Sequence, residues 1–315
     1  MLSLVIPAHN EEGDIAETVR NLATALRNAG IAYEIVIVND NSSDGTERIL
    51  AALNAADPGI RYVNNLPPNG CGFAVRRGLA EFRGEAVAIV MADGSDDPTD
   101  VVAFYRKLEG GYDCVFGSRF IRGARVSDYP KFKLLLNRLA NLLIRALFLL
   151  RYNDVTNAFK LYRRSAIAGI QPLLSQHFNL TVELPLKCII RGHKYAVLPN
   201  SWKNRKQGIS KLRIKEMGSR YLFIILYCWL ERVLSRGDYR AEKPSSAAYR
   251  FLSISARLSR CAHSKCPSFR LRSRASCSRP PPITCCPFFS PSSAGAFAGT
   301  SKCCGFWRLC WSGWG

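Results

Sequence analysis

No stretch of this sequence reaches the ~20 apolar residues that a membrane-spanning helix needs; the longest, Tyr221–Leu230, holds ten. Any membrane contact would be made at the surface. Met1–Pro7 lacks a basic start, is short, and leads straight into His9-Asn10-Glu11-Glu12, so no secretory signal is visible. No GxGxxG follows the first predicted strand and no P-loop pattern occurs anywhere, which argues against a dinucleotide-binding dehydrogenase and a P-loop enzyme. No CxxC pair exists among the twelve cysteines, so a zinc reading is weak. Acids are scarce as well: 24 Asp and Glu against 44 Lys and Arg leave a formal charge of +20.

At 315 residues the chain can bury one α/β core with additions, or two small domains. Its charge points to an anionic partner: nucleic acid, an anionic membrane surface, or phosphorylated small molecules. Half of that charge lies in residues 241–315, which hold eleven Lys or Arg, the single acid Glu242, and eight cysteines. Ser, Arg, Pro and Cys dominate there, as in Arg279-Pro280-Pro281-Pro282, with no helical or alternating pattern. That composition reads as a disordered tail or as translation out of frame. With half the charge in the tail and no reading motif or basic-aromatic sheet pattern, no nucleic-acid partner is expected. The other four cysteines, Cys71, Cys114, Cys188 and Cys228, sit in apolar patterns and read as core hydrophobes of a reduced compartment.

Residues 1–240 form the organised part. Apolar runs at Leu2–Ile6, Glu34–Val38, Ile60–Val63, Ala86–Met91 and Asp113–Phe116 read as strands, and helical spacing separates them, as in Ile15, Val19, Leu22 and Leu26. Such alternation implies a mostly parallel sheet with right-handed crossovers. In open sheets of this kind ligands lie beyond the carboxyl ends of the strands. Polar clusters fall there five times: Glu11, Asp40, Asn69–Gly72, Asp93–Asp97 and Arg119.

The central stretch is Ala88–Asp100, AIVMADGSDDPTD, an apolar strand that empties into Asp93, Asp96 and Asp97 with Pro98 opening the next helix. Carboxylates so crowded share a hard divalent cation or spread in water as an acidic turn that caps the helix. Acids at two strand ends, one near a base or ribose and one near a metal, suit a sugar nucleotide.

Pro130–Tyr152 changes character. Lys131, Arg138 and Arg145 recur every seven residues with Asn141 between the last two, leucines fill the remaining circumference, and no acid interrupts. A basic stripe on a broadly apolar helix reads as an interfacial element in the headgroup region. Asn153–Asn157 is a polar turn in which Asp154 reads as a capping residue, followed by a strand-like Ala158–Tyr162. Phe178–Ile190 reads as a helix, Tyr195–Leu198 as a strand, and Trp202–Lys211 as a basic loop suited to phosphate. Leu212–Leu234, with its aromatics, could form a second interfacial helix.

Five segments taken together resemble family 2 glycosyltransferases: Val5–Glu12, Val38–Thr46, Asn69–Gly72, Met91–Pro98 and Gly117-Ser118-Arg119-Phe120. Over residues 1–240 the likeness is to polyprenyl-phosphate transferases of the dolichol-phosphate mannosyltransferase type. The resemblance implies an α/β GT-A fold, Rossmann-like, with helices about 130–150 and 212–234 at the membrane interface. It implies an inverting hexosyltransferase moving mannose or glucose from a GDP-mannose or UDP-glucose type donor to a polyprenyl or dolichyl phosphate. The expected place is the cytoplasmic face of a membrane. Pro7, Glu11, Asp40, Gly70 and Gly72 would border the nucleotide. Asp93 and Arg119 would stand at the reacting centre. Mg²⁺ or Mn²⁺ would be held by Asp93, Ser95 and Asp97, with Asp96 as the alternate. Lys133, Asn137, Arg138, Arg205 and Lys211 would meet the acceptor phosphate. Ser95 replaces the middle acid of the family's Asp-x-Asp, and a neutral hydroxyl is a poorer ligand than a carboxylate. A glycosyltransferase-like membrane scaffold without activity, or a family 2 transferase with a different acceptor, are the alternatives.

Overall fold

The computed structural model describes residues 1–204, 214–235 and 238. Arg205, Lys211 and the tail from Ala241 onward lie outside the described residues, and so do the readings made of them. By internal contacts the chain divides into Met1–Ser245 and Ser246–Gly315; every described residue belongs to the first unit.

The predicted alternation is present. Strands β1 (Leu2–Ala8), β2 (Tyr33–Asn39), β3 (Ile60–Asn64), β4 (Ala86–Ile89) and β5 (Cys114–Ser118) are separated by helices α1 (Ile15–Asn28), α2 (Thr46–Ala56), α3 (Cys71–Glu81) and α4 (Pro98–Glu109). After β5 come β6 (Arg125–Ser127), α5 (Lys131–Phe148), β7 (Lys160–Arg163), α6 (Arg164–Gly169), α7 (Leu180–Ile190), β8 (Tyr195–Pro199), β9 (Ser201–Lys203) and α8 (Ile214–Leu234). Seven strands form one sheet in the order β3-β2-β1-β4-β7-β5-β8. Short β6 and β9 pair separately and in parallel.

Strand residues alternate between two apolar layers, as a period of two requires. Leu4, Ile6, Ile35, Ile37 and Ala88 face the α1, α2 and α4 side. Val5, Val36, Val87, Ile89 and Phe116 face α3, α5, α6, α7 and α8. The buried Cys114, Cys188 and Cys228 belong to the second layer as free thiols.

One feature of the sheet places the site. Strand β7 is antiparallel to both neighbours, with Lys160 opposite Ile89 and Phe116, whereas the other pairings are parallel. It therefore enters the sheet at the edge where β1, β2, β4 and β5 leave it. The turn at 153–158 is thus carried to the same edge as the strand-end loops. Simple alternation of strand and helix does not reveal that reversal.

Helix α5 divides its polar stripe. Asn141 is buried with Ile144 and Phe148, while Lys131, Arg138 and Arg145 are exposed along one margin. The outer face carries Phe132 (68% exposed), Leu135, Leu139, Leu142 and Leu143. On α8, which packs against α5, Leu222, Phe223, Leu226, Leu230 and Val233 are likewise exposed. Both helices thus carry large apolar side chains outward as well as inward, unlike a surface helix whose outer face is polar. Among the described residues no helix is long and apolar enough to cross a membrane.

Candidate active site

A cavity of about 1030 Å³ opens at the carboxyl edge of the sheet and continues between α5 and α8. Its polar end is lined by Pro7, His9, Glu11, Asp40, Asn69, Gly70, Asp93, Ser95, Asp96 and Arg119. Its apolar end is lined by Leu136, Ala140, Leu143, Leu222 and Ile225, with Lys133 and Asn137 at the transition.

The β1 and β2 loops are stitched together before any ligand is considered. Glu11 N donates to Thr46 Oγ1 (2.9 Å), Asn10 Oδ1 accepts from Ser43 N (2.8 Å), and Gly45 N donates to Glu12 Oε2 (2.7 Å). Asp40, nearly buried at the end of β2, accepts from Asn65 Nδ2 (2.7 Å), Asn69 Nδ2 (3.0 Å) and Gly70 N (2.8 Å). Gly70 has φ +140°, a conformation that excludes most side chains. Gly72 does not line the cavity: a Cβ there would stand 2.3 Å from the Gln176 carbonyl carbon, so its role is close packing of α3 under the 176–177 backbone.

The acidic loop after β4 separates its three carboxylates. Asp97 caps α4, accepting from Thr99 N at 2.9 Å, and does not line the cavity. Asp93 and Asp96 do. Burial, and then the Asp93 charge, push the Asp96 carboxyl up to about 7, and its Oδ2 has no partner among the described residues. Two carboxylates lining one cavity, one of them with an orphaned oxygen, are a donor set that a hard cation would satisfy. Ser95 is held between them, its N–H donating to Asp93 Oδ1 at 3.2 Å. Strand β9 braces the loop: Lys203 N donates to Ser95 O (3.0 Å), and Ser201 N donates to the Asp100 carboxylate.

Arg119, at the end of β5, is gripped by Asp154. Arg119 Nε and Nη2 donate to the two Asp154 oxygens at 2.8 Å each, and the Arg119 backbone N–H adds a third bond of 2.9 Å. The carboxylate is fully buried. Burial disfavours the guanidinium, but the bonds and charge of Asp154 outweigh it, and the Arg119 pKa lies above its ordinary value. Phe120, Tyr129 and Trp202 surround the cation at 5.5 to 6.0 Å. Asp154, expected as a turn cap, is therefore the orienting partner of a site cation. Its 35-residue separation from Arg119 leaves no periodic trace in the sequence.

At the transition between the two ends, Asn137 and Asn141 both donate to Thr156 Oγ1, at 2.8 and 3.0 Å, tying α5 to the 153–158 turn. The buried Lys160 ties that turn to α7, its ammonium donating to the carbonyls of Val155 (3.0 Å), Asn157 and Thr181 (2.9 Å). Arg138 does not line the cavity; its guanidinium lies 4.7 Å over Phe120. Tyr129, Trp202, Thr156, His177 and Arg220 line the cavity without having been singled out from the sequence.

The comparison with known proteins settles the family. The model of glycosyl transferase family 2 matches residues 3–170. The chain belongs to that family. It is a glycosyltransferase, with the mixed α/β architecture of the GT-A fold. Over 217 residues it is 26% identical to a dolichol-phosphate mannosyltransferase of Pyrococcus furiosus, covering 68% of this chain and 60% of that protein's length. Over 215 residues it is 27% identical to a polyprenol monophosphomannose synthase of Mycolicibacterium smegmatis, covering 66% of this chain and 80% of the relative. In fold it is similar to glucosyl-3-phosphoglycerate synthase of Mycobacterium tuberculosis, solved with Mn²⁺, uridine diphosphate and phosphoglyceric acid. That match has a TM-score of 0.55 at 21% identity and covers 74% of this chain and 78% of the other.

Proposed function

We propose that this glycosyltransferase moves a hexose, mannose or glucose, from a nucleoside diphosphate to a polyprenyl phosphate at a membrane surface, with inversion at the anomeric carbon. The observation that carries the reading is the continuity of one cavity from the carboxylates and polar loops of the sheet edge to the apolar walls of α5 and α8. A donor with an anionic diphosphate fits the first end and a lipid the second. The exposed leucines of α5 and α8, with the basic margin of α5, suit a bilayer with headgroups at its edge. The P. furiosus and M. smegmatis relatives carry names for mannosyl transfer to polyprenyl acceptors, which supports the acceptor class.

Asp93 and Asp96, with the Ser95 hydroxyl, would hold Mg²⁺ or Mn²⁺. Bound there, the ion supplies charge neutralisation for the departing diphosphate. The remaining work belongs to the chain. A phosphate monoester has its second pKa near 6, so the acceptor is already largely a dianionic nucleophile at neutral pH and needs little general-base help. Arg119, fixed by Asp154, and Lys133 place positive charge where the acceptor phosphate enters. Asn137, fixed through Thr156, limits its orientation. Alignment of the reacting atoms is the larger part of the rate gain.

The test uses the full chain in detergent with an α-linked sugar nucleotide and a short-chain polyprenyl phosphate, followed by NMR. A β-linked glycosyl phosphate is expected. Donor hydrolysis alone, or an α-linked product, contradicts the reading.

A further inference from the structure

The carboxylate of Asp40 faces the cavity in a state that restricts what it can accept. An ionised carboxylate has about four in-plane acceptor positions, two on each oxygen. Asp40 Oδ1 takes both amides, Asn65 Nδ2 at 2.7 Å and Asn69 Nδ2 at 3.0 Å. Oδ2 takes Gly70 N at 2.8 Å. Among the described residues these are its side-chain bonds, and one position on Oδ2 is left.

These three donors are not incidental. Asn65 leaves the end of β3, its backbone N–H bonded to Asn39 O at 2.8 Å. Asn69 and Gly70 open α3, whose first turn is pinned under Gln176–His177 by the close approach at Gly72. Gly70 N is fixed beside that close approach, and the half-buried Asn65 and Asn69 complete the set of donors at the cavity wall.

Nucleobases differ in the number of donors on the edge they offer. Guanine presents an imino N–H beside an exocyclic amine, a two-donor fork that pairs with both oxygens of a carboxylate. Uracil presents one imino N–H between two carbonyls. Taking the site as the nucleotide-sugar site proposed above, we infer that Asp40, with a single acceptor position left open by Asn65, Asn69 and Gly70, selects a uridine diphosphate sugar over a guanosine diphosphate sugar. Guanine could use one bond there and would leave a second donor unpaired or displace an amide. A donor that loses water on binding and gains no partner carries a penalty, which is why hydrogen-bonding sites discriminate well.

The test is calorimetric titration of the full chain in detergent with UDP and with GDP, each in saturating Mn²⁺, for the wild type and Asn69→Ala. The variant frees one position on Oδ1, so that both oxygens can receive a two-donor fork. Expected is wild-type UDP binding about tenfold or more tighter than GDP, with the ratio narrowing in Asn69→Ala chiefly through tighter GDP binding. GDP binding as well as UDP in the wild type overturns this inference and leaves the proposed function standing. A wild-type preference that Asn69→Ala leaves unchanged overturns the assignment to Asp40. No binding of either nucleotide by folded protein overturns both the inference and the reading it rests on.

Discussion

The two ends of the cavity are built on opposite rules. At the sheet edge the polar groups have one another as partners: Asp40 holds three donors, Arg119 is fixed on Asp154, and the β1 and β2 loops share bonds through Asn10, Glu12 and Thr46. Around the apolar end, on the outer faces of α5 and α8, the reverse holds. Phe132, Leu139 and Leu142 on one helix and Phe223, Leu226 and Leu230 on the other stand exposed. The first end is preorganised for charge; the second is left open among the described residues. On the proposed reading, a preorganised polar end would spend little ordering free energy when the donor arrives, and an open apolar end would admit a ligand whose tail remains in a bilayer.

The largest effect is expected where the polar end meets the reacting atoms. Asp93→Ala and Asp96→Asn should each lower sugar transfer by about a hundredfold or more, measured as initial rates at saturating Mn²⁺. Asp97→Ala should remove a helix cap and cost about 1 kcal/mol of stability, with transfer retained. Loss of transfer in Asp97→Ala equal to that in Asp96→Asn would contradict the division of labour within the loop.

Asp154→Asn comes next. A buried ion pair broken on one side is destabilising by about 3 kcal/mol or more, and Arg119, with Asp154 at 0% exposure behind it, would lose its orientation. Urea denaturation should show the lowered stability. At a temperature where the variant remains folded, kcat should fall with little change in donor affinity. A variant that lost donor binding and transfer in parallel would place Asp154 in donor recognition instead.

At the apolar end the expectation inverts. Leu139→Ser and Leu142→Ser should change stability by no more than about 0.5 kcal/mol, since neither side chain is packed in the fold. Partition onto vesicles containing anionic lipid should fall about tenfold for each leucine, with UDP binding unchanged. A stability loss comparable to that of a core leucine would show that protein covers this face.

The last comparison concerns pH. Ionisation of Asp96 is opposed in the fold, where burial and the Asp93 charge hold its pKa at about 7. The unfolded carboxyl loses its proton near the ordinary value, about 4. Between those values the folded state binds more protons, so this contribution to metal-free stability is complete below about pH 4 and is lost as pH rises through about 7. Urea midpoints in EDTA at pH 5 and pH 8 should show the decline in wild type and a smaller one in Asp96→Asn. An equal slope in both proteins would remove Asp96 as its source.

Much of the sheet was legible because its strands are short apolar runs closed by polar loops, and the polar clusters at their ends fall on one edge by topology alone. Three things were not. The reversed direction of β7 depends on how the chain leaves α5, which leaves no local mark. The pairing of Arg119 with Asp154 and the saturation of Asp40 by Asn65 and Asn69 are contacts between distant loops, and periodicity carries no information about them. Asp96 and Asp97 are chemically alike and adjacent; only the backbone turn into α4 sends one to the cavity and the other to the helix cap. On α5 the basic positions were legible as a stripe, but the inward turn of Asn141 was set by Thr156.

The most direct test of the account is transfer of radiolabelled sugar from UDP-glucose and GDP-mannose to polyprenyl phosphate by the full chain in detergent, with Mn²⁺ and with EDTA. Metal-dependent glycolipid formation that disappears in Asp96→Asn is the predicted result. Folded protein that binds both nucleotide and lipid yet forms no glycolipid from either donor would contradict the claim that the two ends serve one reaction.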